Sequence, residues 1–355
     1  MSTLLERLWY PDSAESWSRK LALSPLLLAE GAFRAGVGLR GALYDRGLLK
    51  SHRPEGPRIV SVGNLNVGGA GKTPLTIHLA NRLQQQGERV VVLTRGYGRT
   101  SQVPVEISAH VPRPTVGEAG DEPLLIADSC PGVPVLVGSN RVALAGEAVA
   151  RHRASVLLLD DGLQHRRLAR DLDVVVIDAS ARFGNGHLMP RGPLREPLAA
   201  LSRASLACLR VSQGVEVPRL ELPIPYFVAR YLPGGWRDEQ GRSLPLAALT
   251  GGGVVALTAI ARPSAFQSTL VGAGLRVEQL ISYPDHHPFT EAELEAARAA
   301  AAGRVIVTTE KDRLRLPSGF PAWALRMELR IEEGAELLER ALAPGARHGS
   351  GPAPA

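Results

Sequence analysis

From Leu28 the apolar and small positions recur at intervals of four and three, through Ala32, Ala35, Leu39 and Leu43. Glu30, Arg34 and Arg40 fall largely off that line. This period predicts an amphipathic helix over Ser24–Tyr44, with Ser24 as its N-cap and Pro25 at its first position. From Arg58 the pattern changes to short, continuous apolar runs: RIVSV, RVVVLT, PVLVG, SVLLLDD, LDVVVIDA and ASLACLRV. Helical stretches separate them at Thr73–Gln86, DEPLLIADSC and RVALAGEAVARH. Strands apolar on both faces, alternating with helices, indicate a parallel sheet covered on both sides. Between Glu216 and Thr250 prolines recur (Pro218, Pro223, Pro225, Pro233, Pro245) around an extended YFVARYL, a linker with a strand pair. A smaller α/β unit follows: GVVALTAI, a helix near Ser264–Val271, LRVEQLIS, a helix over Glu291–Ala302, RVIVTT and AWALRMEL. The closing ARHGSGPAPA reads as a disordered tail.

Composition narrows the classes. Aromatic residues are only 5% of the 355 residues, so Leu, Val and Ala must fill the core. The 41 Lys and Arg exceed the 35 Asp and Glu, and half of that excess lies before Ile59, where nine basic residues face six acidic ones. A basic chain favours anionic partners. No basic stripe interleaved with aromatics occurs, so nucleic acid is not an expected partner. With Trp9, Tyr10 and Trp17 upstream, the first helix suits either a membrane interface or docking on the protein's own core. The start lacks a signal-peptide pattern, and no stretch reaches the roughly 18–20 apolar residues of a spanning helix. Cys130 and Cys208 form no disulfide framework or metal motif and suit a reducing compartment as small buried hydrophobes.

The candidate chemistry begins after the first strand. VGNLNVGGAGKTP resembles a phosphate-binding loop, except that Asn66 stands where the first glycine is usual. Gly68, Gly69 and Gly71 let backbone N–H groups turn inward, and Asn66 tolerates left-handed geometry. Lys72 can reach transferred phosphate, Thr73 can hold Mg²⁺, and Pro74 costs little in a first helical turn. Asp160 ends an apolar strand as an Mg²⁺-holding carboxylate would, and Asp161 follows it. RGYGR, with Arg95, suits an anion-binding turn or a surface turn. GDEP offers Asp121 and Glu122 at a helix start, as caps or as reacting carboxylates. In PRGPLRE, Arg191, Arg195 and Glu196 could clamp phosphate and metal or form a solvated loop. In YPDHHPF, His286 or His287 could face a cleft, or the turn could simply be polar.

Taken jointly, VGNLNVGGAGKTP, RGYGR, GDEP, GSNR, LDDGLQHRRL, RGPLRE, PDHHPF and TTEKD, in this order from Val62 to Asp312, resemble the tetraacyldisaccharide 4'-kinase family of lipid A biosynthesis. The resemblance implies a P-loop NTPase-type parallel sheet covered by helices, with a second, smaller α/β domain and an N-terminal amphipathic helix. The expected division is 1–57 membrane-associating, 58–215 kinase domain, 216–250 linker, 251–343 small domain and 344–355 tail. It implies ATP and Mg²⁺, and an acylated glucosamine disaccharide 1-phosphate as acceptor. It also implies peripheral attachment to the cytoplasmic face of the bacterial inner membrane through the helix, with no obligate protein partner. By motif, Asn66, Val67, Gly68, Gly69, Ala70, Gly71, Lys72 and Thr73 cradle the ATP phosphates. Asp121 takes the acceptor's proton with His286 as partner, on different domains that closure would bring together. Thr73, Asp160, Asp161 and Glu196 support the metal, while Arg95, Arg141 and Arg195 contact anions. Two rivals remain at this point: a P-loop kinase or ligase for a soluble metabolite, and a membrane-associated NTPase switch.

Overall fold

The computed structural model describes residues 8–10, 23–249 and 251–343; Trp17, Thr250 and the tail expected over 344–355 lie outside the described residues. The first strand set comprises β1 (Arg58–Gly63), β2 (Val90–Thr94), β3 (Val105–Ile107), β4 (Val135–Val137), β5 (Val156–Asp160), β6 (Leu172–Asp178) and β7 (Leu206–Val211). They lie in the order β3-β4-β2-β5-β1-β6-β7, all parallel except the short β3, which runs against β4. The chain leaves β1 toward the β2 side and later returns to the β6 side. The end of β1 is therefore a switch point, where open α/β sheets place their ligands.

Alternation along these strands explains their unbroken apolar character. Val60 and Val62 face one layer with Leu75, Leu79 and Leu83 of the helix Lys72–Gln85. Ile59 faces the other, with Leu144, Ala145 and Ala148 of the helix Arg141–His152. Both layers exclude water, so each strand position must be apolar. The two cysteines are free and buried, and burial pushes the Cys130 thiol up to about 12.

The segment expected as a linker has a larger part. It supplies β8 (Tyr226–Arg237), parallel to β7 on one side. The short β9 (Ser243–Leu244) pairs with its end. The remaining strands, β10 (Gly253–Thr258), β11 (Arg276–Ser282), β12 (Val305–Thr309) and β13 (Ala322–Glu333), continue the same sheet as β8-β13-β12-β10-β11. β13 runs antiparallel to β8 over almost its whole length, with register shifts at Arg326/Met327 and Ile331/Glu333. Such bulges bend a strand and sharpen its twist. The last helix, Ala335–Leu342, crosses back onto the first set, where Leu338 and Leu342 join the Val60 layer. Each fully buried leucine contributes about 1.5–3 kcal/mol. The exposed Arg82–Glu339 pair beside them adds little.

The N-terminal helix spans Ser24–Asp45, and Leu23 rather than Ser24 stands at its N-cap, without a side-chain hydrogen bond. The apolar line read from the sequence does not face the protein along most of its length. Leu28 is 82% and Leu39 63% exposed, and Ala32 and Ala35 are exposed with them. Inward instead lie Leu26, Glu30, Phe33 and Val37. No helix among the described residues is long and apolar enough to cross a membrane.

Candidate functional site

β1 ends at Gly63, and the chain passes through the loop 64–71 into the helix Lys72–Gln85. Gly68 and Gly71 adopt φ of 105° and 88°, values that side chains with a Cβ resist. A Cβ at Gly68 or Gly69 would meet nothing within 4 Å, so that side of the loop is open. At Gly71 it would lie 2.6 Å from the Tyr231 ring, whose hydroxyl donates to the Gly71 carbonyl. Tyr231 comes from β8 and carries Arg210 over its ring at 5.4 Å, so the linking strand braces the loop from behind. Gly71 caps the helix without a side-chain acceptor, leaving its first N–H groups for an anion.

Asn66 corrects one expectation. It stays out of the positive-φ region, so left-handed tolerance is not its use. Its side chain points away from the open face, donating to the Arg182 carbonyl at 3.0 Å and to the Tyr10 hydroxyl at 3.3 Å. Its backbone bridges Leu194, Val67 N–H donates to the Pro193 carbonyl at 2.7 Å, and Arg195 N–H donates to the Leu65 carbonyl at 2.8 Å. The stretch 187–195 thus forms a wall along one edge of the phosphate loop.

Facing the loop is a charge cluster. Lys72 Nζ donates to Asn64 Oδ1 at 3.1 Å and lies 3.5 Å from Asp161 Oδ1. Arg195 meets Asp161 with both terminal guanidinium nitrogens, each at 3.0 Å, and also bonds Asn64. Arg141, buried at 4% exposure, donates to the Asp161 carbonyl at 2.8 Å. Burial pulls the Arg141 guanidinium below its usual range against the nearby Asp160 and Asp161, and Arg95 and Arg195 add to the pull. Burial alone would raise the Asp161 carboxyl, but Lys72 and Arg195 outweigh it and hold it at about 2. Asp160 goes the other way. Fully enclosed, it accepts from Thr76 at 3.1 Å and Thr94 at 3.2 Å, and burial and then the Glu122 charge push it up to about 6. Arg95 is exposed at the rim.

The second cluster joins the two strand sets. His286 Nδ1 lies 3.0 Å from Asp121 Oδ2, with Arg315 at 2.9 Å and Lys311 at 3.7 Å from the same oxygen. Asp121 is 3% exposed. Burial would raise it, yet the His286 hydrogen bond and the Lys311 charge hold it well below the carboxylate range. His286 sits at φ 62°, a conformation rare outside glycine, which turns its ring toward Asp121. His287 is turned elsewhere, onto Glu293 at 3.0 Å and stacked on Tyr283 at 4.8 Å. Asp121 and His286 are already in contact, so no closure is needed to unite them. Lys311 lies 3.6 Å from Glu122, and Glu122 acts electrostatically on Asp160, which links the two clusters by charge.

Sequence reasoning named no role for Lys311 or Arg315, although TTEKD follows an apolar strand as LDD does. Glu196 is the residue least joined to the rest: it pairs with Arg203 at 2.6 Å, and its other oxygen is buried without a partner. Thr73 is half-buried at the start of the helix. Among the described residues no group of three or more His, Cys, Asp or Glu side chains could hold a metal ion. Mg²⁺ takes hard oxygen ligands and commonly keeps several waters beside substrate phosphate oxygens. The hard oxygens of Thr73 and Asp160 fit that ion, as does an enclosed carboxylate whose raised pKa a cation would relieve.

A family model described as Tetraacyldisaccharide-1-P 4'-kinase matches residues 21–343. Tetraacyldisaccharide 4'-kinase of Anaeromyxobacter sp. (strain Fw109-5) is 49% identical, across 97% of this chain and 98% of its own. Its counterpart in Syntrophus aciditrophicus is 39% identical across 84% and 87%. The crystal structure of LpxK from Aquifex aeolicus, in complex with ATP, superposes with a TM-score of 0.79 at 31% identity, covering 90% of this chain and 98% of that one.

The opposed shifts give a signed pH prediction. Asp160 binds its proton more tightly folded than unfolded, so its ionisation lowers stability as pH rises from the unfolded value toward about 6. Asp161 stabilises above its unfolded value and loses that contribution as pH falls toward about 2. Carboxyl-carbon NMR titration should show Asp160 the higher of the two. Glu122→Gln should move Asp160 downward; an unmoved Asp160 would remove Glu122 from the site.

Proposed function

The chain belongs to the tetraacyldisaccharide-1-P 4'-kinase family, and on that premise we propose that it transfers the γ-phosphoryl group of ATP to the 4'-hydroxyl of a tetraacyldisaccharide 1-phosphate. The product is the bis-phosphorylated lipid A precursor, lipid IVA. One observation carries the reading: an open glycine loop with Lys72 lies in the same charge network as the Asp121–His286 pair. A switch that only bound and hydrolysed nucleotide would leave that second cluster without a use.

Phosphoryl transfer depends on positioning and charge neutralisation. The loop Asn66–Thr73 supplies backbone donors for the phosphates, while the Asn66 side chain fastens the loop to Arg182 and Tyr10. Lys72, already held by Asn64 and Asp161, is aimed before substrate arrives. Thr73 and Asp160 would hold Mg²⁺, which neutralises phosphate oxygens when bound. Asp161 keeps Lys72 and Arg195 in place rather than serving chiefly as a ligand, and Arg141 and Arg95 add positive charge for the incoming anion. The acceptor's proton goes to the Asp121–His286 pair. Asp121, held ionised, fixes His286 with Nδ1 committed to Oδ2, and Lys311 is the most loosely held donor that an incoming hydroxyl could displace. A positioned base of this kind contributes about 10²–10⁴-fold.

The N-terminal helix supports attachment to the cytoplasmic face of the inner membrane as a peripheral protein. Its outward Leu27, Leu28 and Leu39, with Leu48 and Leu49 beyond it, form an apolar face. Arg40, Arg46 and Lys50 beside them suit anionic headgroups. No obligate protein partner enters this reading.

The deciding experiment supplies the purified protein with ATP, Mg²⁺ and the disaccharide 1-phosphate in detergent and resolves products by mass. One added phosphate is expected, and Lys72→Ala should abolish it while melting normally. A product without the added phosphate would end the kinase assignment. Asp121→Ala and His286→Ala should each lower kcat/KM and be non-additive in combination, since residues acting as a unit share one effect. Multiplicative losses would mean separate roles. Replacing Leu28 and Leu39 by Ser should reduce co-sedimentation with vesicles containing anionic lipid, without changing the melting temperature. Full retention on the vesicles would place the anchor elsewhere.

A further inference from the structure

We infer that Glu30 and His187 are positioning residues for the nucleotide site, so that the N-terminal helix is part of the phosphate-binding machinery as well as a membrane contact. This inference rests on the nucleotide-binding reading of the loop.

The starting observation is a misplaced charge. Of the 22 residues in the helix Ser24–Asp45, Glu30 alone is buried, at 4% exposure. A helix serving only to lie on lipid has no use for a carboxylate on its inner face, where burial is costly unless every oxygen is paired. Here both are. His187 Nδ1 meets Oε2 at 2.8 Å, and Leu188 N–H donates to Oε1 at 3.1 Å, as does Arg34 at 2.9 Å. One turn on, Phe33 packs against the buried cluster that includes Leu65, Leu188 and Leu194.

What Glu30 grips is the wall of the phosphate loop. Leu194 N–H donates to the His187 carbonyl at 3.2 Å, and Leu194 in turn bridges Asn66. The next two links, Pro193 to Val67 and Arg195 to Leu65, run straight into the loop, and Arg195 ends on Asp161. A second tie runs in parallel. Arg40 donates to the Gln164 carbonyl at 2.9 Å, and Gln164 donates to the Asn64 carbonyl at 3.1 Å. The helix therefore reaches the start of the loop, residues 64–67, by two routes. Freeing Glu30 leaves His187 and the Leu188 N–H unpaired and lets the wall relax. A loop that is less preorganised must be ordered by its ligand, and affinity falls accordingly.

The test measures equilibrium binding of ATP with Mg²⁺ by calorimetry on the full chain in detergent. Glu30→Gln, which keeps the volume, should weaken binding about five- to tenfold, while the KM for the lipid acceptor stays within about twofold. His187→Gln should act in the same direction, and the double variant should be no weaker than the worse single one. The amide resonances of Gly68 and Gly69 should shift in Glu30→Gln, which a merely local loss at the helix would not cause. ATP binding within twofold of the parent in both single variants, or a loss confined to the acceptor, overturns the inference. Should Glu30→Gln not fold, His187→Gln decides alone, since its ring is partly exposed. A parent protein that fails to bind ATP would strike the proposed function itself, whereas equal binding by parent and variants strikes only this inference.

Discussion

β8 is the constraint on which the remainder of the structure depends. Both of its backbone edges are used, one by β7 and the other by β13. Without it each strand set would end in an open edge, a row of unpaired donors and acceptors. Its twelve residues merge two strand sets into one sheet while reversing direction between them. The reversal and the bulges bring the turn after β11 over the helix Asp121–Ser129, and so His286 onto Asp121. From the middle of the same strand Tyr231 reaches back to brace Gly71. One strand therefore aligns the Asp121–His286 pair and supports the phosphate loop.

Charge is arranged with equal economy. Asp121 and Asp161 are each surrounded by cations and held ionised, whereas Asp160 is walled in and repelled by Glu122. Two carboxylates adjacent in the chain thus differ in affinity for a proton because one faces Lys72 and Arg195 and the other two hydroxyls. The first kind of carboxylate fixes side chains in position. The second has an unmet need for positive charge, which suits a divalent ion arriving with phosphate.

Much of this was legible in the chain because it depends on local pattern. Continuous apolar runs marked the parallel strands, and glycine spacing with Lys72 marked the loop. GDEP and PDHH marked two halves of a pair whose contact no spacing could reveal. What escaped depends on tertiary partners. YFVARYL read as an extended stretch in a linker because prolines flank it, yet it joins both strand sets, and a strand with two neighbours tolerates Pro233 at a bulge next to the Arg326/Met327 shift. Asn66 was assigned a left-handed backbone role, and only its tertiary partners, the Arg182 carbonyl and the Tyr10 hydroxyl, show its side chain to be a fastener. The pairing of Glu196 with Arg203 and the inward turn of Glu30 are equally invisible in spacing. On the first helix the apolar period was legible and its direction was left open, because periodicity says which residues share a face and not what that face meets.

The return of the last helix onto the first strand set has a consequence for synthesis on the ribosome. Arg58, the first residue of β1, bonds the carbonyl of Ala343 across 285 positions, and Leu338 and Leu342 complete the layer over Val60. The nucleotide half therefore cannot close its core until nearly the whole chain has emerged, and contacts so distant in sequence form late. The outward leucines of the first helix, by contrast, leave the ribosome early and need no tertiary partner to be presented. A nascent chain thus presents these leucines well before it has a working site.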